Sequence, residues 1–228
     1  MTAYPEGETT AARYVATAAE YGFDGVVVRT RAAASGAEDL RATAEIDVAT
    51  GVEIDADDPA SASGAVGNFR PDHDVVIVRG GTPELNRFAV EQDRVDVLAT
   101  PMRGDGDFNH VLAKAARDNR THVEVNLGPV LRRAGGDRVQ HLQALRKLRE
   151  LLTYYDAPFV VSARAESHLQ LRAPRELVAV GQQVGFEPDA VRRGLAAWGA
   201  VVRESRRRRS ESFITPGVTR GRYEEDDR

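Results

Sequence analysis

Short apolar runs rich in valine recur along this chain at a spacing that leaves few folds open. They fall at Gly25 to Arg29, Gly51 to Ile54, Asp74 to Val78, Val95 to Ala99, Thr121 to Leu127 and Pro158 to Val161, with starts 21 to 37 residues apart. Each reads as a buried strand. Amphipathic segments accompany them at Glu8 to Tyr21, Glu38 to Val48, Pro83 to Glu91, Phe108 to Asn119, Asp137 to Tyr155, Pro174 to Val184 and Asp189 to Arg209. In the fifth of these, Val139, Leu142, Leu145, Leu148, Leu152 and Tyr155 recur every three or four residues and paint one apolar stripe. In the last, Val191, Leu195, Trp198 and Val202 do the same.

Strand, helix, strand at this spacing is the rhythm of right-handed βα crossovers, and a parallel sheet built that way must be covered by its helices. The expected fold class is therefore α/β: a TIM-like βα barrel with a mostly parallel sheet of seven or so strands and helices outside. Six strands are plain, and weaker candidates lie at the amino terminus and around Phe213. An open nucleotide-binding sheet is disfavoured because no glycine-rich phosphate loop follows the first strand. Residues 1–205 read as one barrel domain, and 206–228, basic and then acidic, as a flexible tail.

The 228 residues include no cysteine, which removes disulfides, iron–sulfur clusters and thiolate zinc sites. No run of 18 apolar residues and no signal peptide is present, so the expected location is the cytoplasm, with no membrane partner. The formal charge is −4 but is unevenly spread: residues 1–117 carry about −9 and residues 118–228 about +5. Of 31 basic residues only Lys114 and Lys147 are lysine. That bias fits a GC-rich genome and an acidic, salt-adapted proteome; arginine forks also suit phosphate contacts.

In a βα barrel the carboxyl ends of the strands carry function. Those ends here read Arg29, Asp55, Arg79, Pro101 with Arg103, Asn126, and Ser162 with Arg164. Guanidinium groups gather on one face with few carboxylates expected to oppose them, an arrangement suited to anions. The stretch Pro158 to Glu176 extends this face: Arg172 and Arg175 flank Pro174, and the free N–H groups of the helix start would add to an anion site. The other use of Arg172 is a clamp onto Glu166 or Glu176.

Catalytic constellations are weak. His73 lies between Asp72 and Asp74, but before its strand, at the end where barrels do not place chemistry, and reads as a polar turn. Glu53 and Asp55 lack ligand partners of the right type. Ser162, Ser167 and His168 lack the glycine elbow of a nucleophilic serine. The alternation of His122, Glu124 and Asn126 with Val123, Val125 and Leu127 sends one set inward or to the rim, for interior hydrogen bonds or, at Asn126, RNA contact, and the other under the helices. Arg206 to Arg209, at a helix carboxyl end, complement the macrodipole and are either solvated or in contact with nucleic acid.

The segments "YPEG" at Tyr4 to Gly7, "YGFDGVVVRT" at Tyr21 to Thr30, "VDVLATP" at Val95 to Pro101, "HVEVNLGPVLR" at His122 to Arg132 and "VVSARAESHLQLRAP" at Val160 to Pro174 resemble, in this order, protein component 3 of archaeal ribonuclease P. The resemblance implies a TIM-like barrel related to the polymerase and histidinol phosphatase superfold, serving an endoribonuclease that removes the 5′ leader from precursor tRNA. It implies as partners the ribonuclease P RNA, precursor tRNA, protein component 2 and other protein subunits. Catalysis would belong to the RNA with magnesium, leaving no catalytic residue, metal site or cofactor on the protein. The residues expected to bind RNA are Arg29, Arg79, Arg103, Asn126, Arg132, Arg164, Arg172 and Arg175. Only Met1 to Tyr4 precede the Pro-Glu-Gly element, so either the first strand is short or the reading frame begins upstream. The competing function on the same superfold is a metal-dependent phosphoesterase, which would require the His-x-His pair that this chain lacks; a protein-binding scaffold is the third.

Overall fold

A computed structural model describes residues 2–3, 10–31, 37–209, 213–215 and 218–219. Seven strands pair in chain order, all parallel: β1 (Thr2–Ala3), β2 (Gly25–Thr30), β3 (Asp47–Ile54), β4 (Val75–Arg79), β5 (Val97–Ala99), β6 (His122–Asn126) and β7 (Phe159–Ser162). Around them lie α1 (Ala11–Glu20), α2 (Ala37–Thr43), α3 (Pro59–Phe69), α4 (Pro83–Glu91), α5 (His110–Asn119), α6 (Gly128–Arg132), α7 (Gly135–Tyr154), α8 (Pro174–Val184) and α9 (Pro188–Arg209).

The sheet is strongly curled. Strands β2 and β6 are four positions apart, which in a flat sheet would separate them by about 19 Å. Yet Arg29 on β2 reaches Glu124 on β6 at 2.5 Å. Side chains sort by strand parity. Val26, Val28, Val48, Val76, Val78, Val123, Val125 and Val161 pack outward with the helices, while Val27, Ala49, Ile77, Ala99 and Val160 point into the bore.

Curling does not join the two edges: among the described residues β7 pairs only with β6, and β1 only with β2. Helix α9 fills the opening. Its Trp198, Val201 and Val202 form one cluster with the inward valines, and the Trp198 indole N–H donates to the Val161 carbonyl at 2.9 Å. An exposed strand edge would invite pairing with another chain, and this helix covers it. Gly194 makes the approach possible, because a Cβ there would lie 2.6 Å from Val161 Cγ2.

Several boundaries differ from the sequence expectations. Helix α3 went unpredicted because its segment, Pro-Ala-Ser-Ala-Ser-Gly-Ala-Val-Gly-Asn-Phe, is rich in small residues and buries only Ala62 and Val66. Its cap was visible all the same: Asp58 accepts from the N–H groups of Ala60 and Ser61, with Pro59 at the first turn. Strand β3 begins at Asp47, inside what periodicity assigned to a helix. The strand around Phe213 exists as β8 (Phe213–Thr215), but it pairs antiparallel with β9 (Val218–Thr219), apart from the seven-stranded sheet. Tyr4 to Gly7, and the tail beyond Arg209 apart from these two strands, lie outside the described residues.

Candidate functional site

The carboxyl end of the sheet is closed by a charge network rather than left open to solvent. Arg29 at the end of β2 is 0% exposed and bridges Glu53 of β3 and Glu124 of β6, each at 2.5 Å. Ser162 Oγ of β7 donates to Glu124 at 2.7 Å, and Arg164 donates to the second oxygen of Glu53 at 2.6 Å. Burial pushes the Glu124 carboxyl up, but the Arg29 guanidinium and the Ser162 hydroxyl outweigh it and hold the group below its ordinary value.

This arrangement corrects the expectation that carboxylates would be scarce at the strand ends. Arg29 cannot meet RNA, since its guanidinium is sealed inside. Ser162 is likewise buried. Arg79 is held by Asp55 at 2.5 Å, with little of its side chain exposed. Asn126 turns back to accept from the Gly128 N–H at 2.9 Å and shapes the entry into α6. The alternation of β6 placed Glu124 inward, as the sequence implied; what it did not reveal was that Arg29 and Glu53 occupy the same level on strands far away in sequence.

Above the network, guanidiniums converge at the ends of β6 and β7. Arg132 donates to the carbonyls of Ala163 and Arg164 at 2.9 and 3.1 Å. That contact holds the β7 exit where Arg164 adopts φ 40°, a conformation costly for a residue with a Cβ. Burial lowers the Arg132 pKa from its ordinary value; Glu166 raises it, and the neighbouring Arg164 and Arg172 lower it further. Three guanidiniums thus share one corner. Gly128 admits this packing, because a Cβ there would sit 2.2 Å from the Ala163 carbonyl oxygen.

Arg172 clamps neither Glu166 nor Glu176; it donates to the carbonyls of Leu169 and Leu171 at 3.0 and 2.8 Å. The start of α8 is already served, for Glu176 accepts from the Ala173 N–H at 2.8 Å. Arg103, after β5, and Arg175, in the first turn of α8, are exposed.

The opposite pole absorbs the basic run. Helix α9 continues through Arg209, past the expected tail boundary. Arg206 donates to both oxygens of Asp47 at 3.0 Å, and Arg206, Arg209 and Arg41 all reach Asp74, which is 1% exposed. Arg207 and Arg208 pair with Glu204. Of the two sequence readings, solvated or bound to nucleic acid, neither describes Arg206 and Arg209, which anchor the helix across the bottom of the sheet. His73 is buried, its Nδ1 3.0 Å from the Phe69 carbonyl oxygen, and belongs to this polar base.

Asp74 is expected to make the fold acid-sensitive. Burial pushes its carboxyl up, but the Thr50 N–H and the Arg41 and Arg206 guanidiniums outweigh burial, so it sits below its ordinary value of 3.8. A depressed carboxyl stabilises the fold fully above its unfolded value and loses that contribution as pH falls through the folded one. Asp74→Asn is expected to cost about 2 kcal/mol at pH 7, less than a fully buried pair would because its partners are about one-third exposed. The gap between variant and parent should begin to close as pH falls below the ordinary carboxyl value of 3.8 and vanish as Asp74 protonates in the folded state. Thermal unfolding of both proteins at stepped pH checks this, and a gap independent of pH would refute it.

Among the described residues no three His, Asp or Glu converge as metal ligands. The strand ends thus form a curled α/β half-barrel mouth in which Arg29, Arg79 and Arg164 are ion-paired with Glu53, Glu124 and Asp55. The chain belongs to the family described as RNase P subunit p30, which matches residues 2–210. It is 60% identical to ribonuclease P protein component 3 of Halorubrum lacusprofundi over 98% of this chain and 97% of that one. It is 32% identical to the component 3 protein of Methanococcoides burtonii over 94% and 89%. A chain in the cryo-EM structure of archaeal ribonuclease P with mature tRNA superposes with a TM-score of 0.83, at 23% identity and full coverage of both.

Proposed function

We propose that the protein serves as a ribonuclease P subunit by binding that enzyme's RNA at the mouth of the half-barrel, while the RNA, with magnesium, cleaves the 5′ leader from precursor tRNA. The observation that supports the RNA-binding surface is the β7 exit, where Arg132 donates to the carbonyls of Ala163 and Arg164 and Arg172 to those of Leu169 and Leu171, so that guanidiniums outnumber carboxylates along one segment. Arg103 and Arg175, both exposed, are the further phosphate contacts of this reading. Arg29 and Arg79 support the surface from beneath, and Asn126 shapes it. Pairing with protein component 2 and residence in the cytoplasm complete this reading. No helix among the described residues is long and apolar enough to cross a membrane.

Reconstituted cleavage of precursor tRNA, with and without this protein and its paired subunit, tests the function. RNA affinity across a salt series tests the surface. Arg103→Ala and Arg175→Ala should each weaken binding modestly and reduce the salt slope by about one unit, the mark of one lost phosphate contact. Folding should be unaffected, since exposed changes shift stability by under about 0.5 kcal/mol. If the double variant keeps both affinity and slope, the mouth is not the RNA surface.

A further inference from the structure

Away from the mouth, the outer face of α5 and α7 carries an aromatic group that the fold does not use. Tyr154 is 81% exposed, more than any other large apolar or aromatic residue described. Its neighbour Tyr155 packs on the core and stands edge-on to it, with ring centroids 4.8 Å apart and planes at 73°. Lys114 Nζ lies 5.4 Å from the Tyr155 centroid, which ties α5 to this pair. Beside Tyr154 runs a groove of about 560 Å³ lined by Lys147, Arg149, Leu151 and Thr153. The two lysines of the chain therefore meet at one aromatic pair.

We propose that Tyr154, braced by Tyr155, is a stacking platform for one unpaired nucleobase of RNA, with Lys114 meeting an adjacent phosphate and Lys147 and Arg149 exchanging their exposed carboxylate partners for the next ones. The inference rests on the reading of the chain as an RNA-bound subunit for the source of the RNA. The platform itself rests on ring exposure and charge. Helix α7 holds four cations against two acids, in a chain whose net charge is −4. A protein-docking core is depleted in charge and offers contiguous apolar area. Here the exposed ring is flanked by Lys114, by Lys147 paired with Asp107 at 2.7 Å and by Arg149 paired with Glu150 at 3.2 Å, exposed pairs that phosphates can displace, and Leu151 beside it is half-buried. Single-stranded RNA is recognised by the opposite combination, an aromatic face for the base within a basic surface for the backbone.

The test uses the full chain and a ten-nucleotide single-stranded RNA carrying one 2-aminopurine. Titration of the parent protein should quench the fluorophore as it stacks. Tyr154→Trp should keep the quench and the affinity. Tyr154→Leu retains apolar area without a π-face and should lose the quench, with affinity falling about 5- to 100-fold, the effect of one stacked base. Circular dichroism should show every variant folded, since the ring is exposed. Unchanged affinity and quench in Tyr154→Leu would overturn the platform. So would failure of the parent to bind the oligonucleotide while Arg103→Ala and Arg175→Ala still weaken binding of ribonuclease P RNA, a result that leaves the mouth intact as the RNA surface. Loss of pairing with a protein subunit in Tyr154→Leu, with oligonucleotide binding preserved, would assign the face to protein and equally refute the proposal.

Discussion

Glu124→Ala should destabilise the protein by about 3–5 kcal/mol, because it removes one carboxylate from a sealed set of two cations and two anions. Arg29 cannot lose its proton and cannot reach water, so the variant leaves a net positive charge in the bore. Glu53 would then serve two guanidiniums alone, and Ser162 Oγ would lose its acceptor. The double change Arg29→Met with Glu124→Leu removes one charge of each sign and leaves Glu53 paired with Arg164, so it should cost far less than the sum of the single changes. Thermal unfolding followed by circular dichroism at fixed salt measures the cycle. A double variant as unstable as that sum would show that geometry, rather than uncompensated charge, dominates the loss.

Trp198→Ala should cost a similar amount, about 3–5 kcal/mol, by emptying the largest side chain of the bore. The surroundings are poorly placed to collapse. A cavity of about 430 Å³ already adjoins the indole, lined in part by Phe23, Val27, Ala49 and Val202. The variant also abandons the Val161 carbonyl on the edge of β7 that no strand pairs among the described residues. Trp198→Phe separates the two effects, since it keeps most of the volume and forfeits only the N–H donor, for which about 1 kcal/mol is expected. As Trp198 is the sole tryptophan, its fluorescence reports unfolding of the parent, while circular dichroism must follow the variants. A loss below about 1 kcal/mol for Trp198→Ala would mean that α9 is held chiefly by its ion pairs to Asp47 and Asp74.

Legibility in the sequence varied with how local each signal was. The valine runs of β2 and β4 and the stripe of α7 announced themselves, because period and composition are properties of neighbouring residues. Helix α3 hid behind Ala, Ser and Gly, although Asp58-Pro59 marked its start. At the mouth, the arginines were found but their partners were not. Glu53 read as an orphaned candidate ligand and Glu124 as an inward polar residue, each correct in position and silent about the other. Asp74 read as part of a turn, and only the return of α9 across the base shows why it is buried among three guanidiniums. Tyr154 drew no notice, since the apolar stripe of α7 ends on its neighbour Tyr155 and residue spacing does not show exposure.

From the sequence alone came the α/β class, the parallel βα order, the family resemblance and the absence of a His-x-His pair. All depend on residue identity and short spacing. Tertiary structure decided which cations are free to bind a ligand and which are consumed within the fold. A guanidinium at a strand end looks the same in sequence whether it faces RNA, as proposed for Arg103, or is sealed like Arg29. The difference is made by the curl of the sheet, which brings carboxylates from strands 24 and 95 residues away to within 2.5 Å, and by α9, which closes the gap the strands leave open.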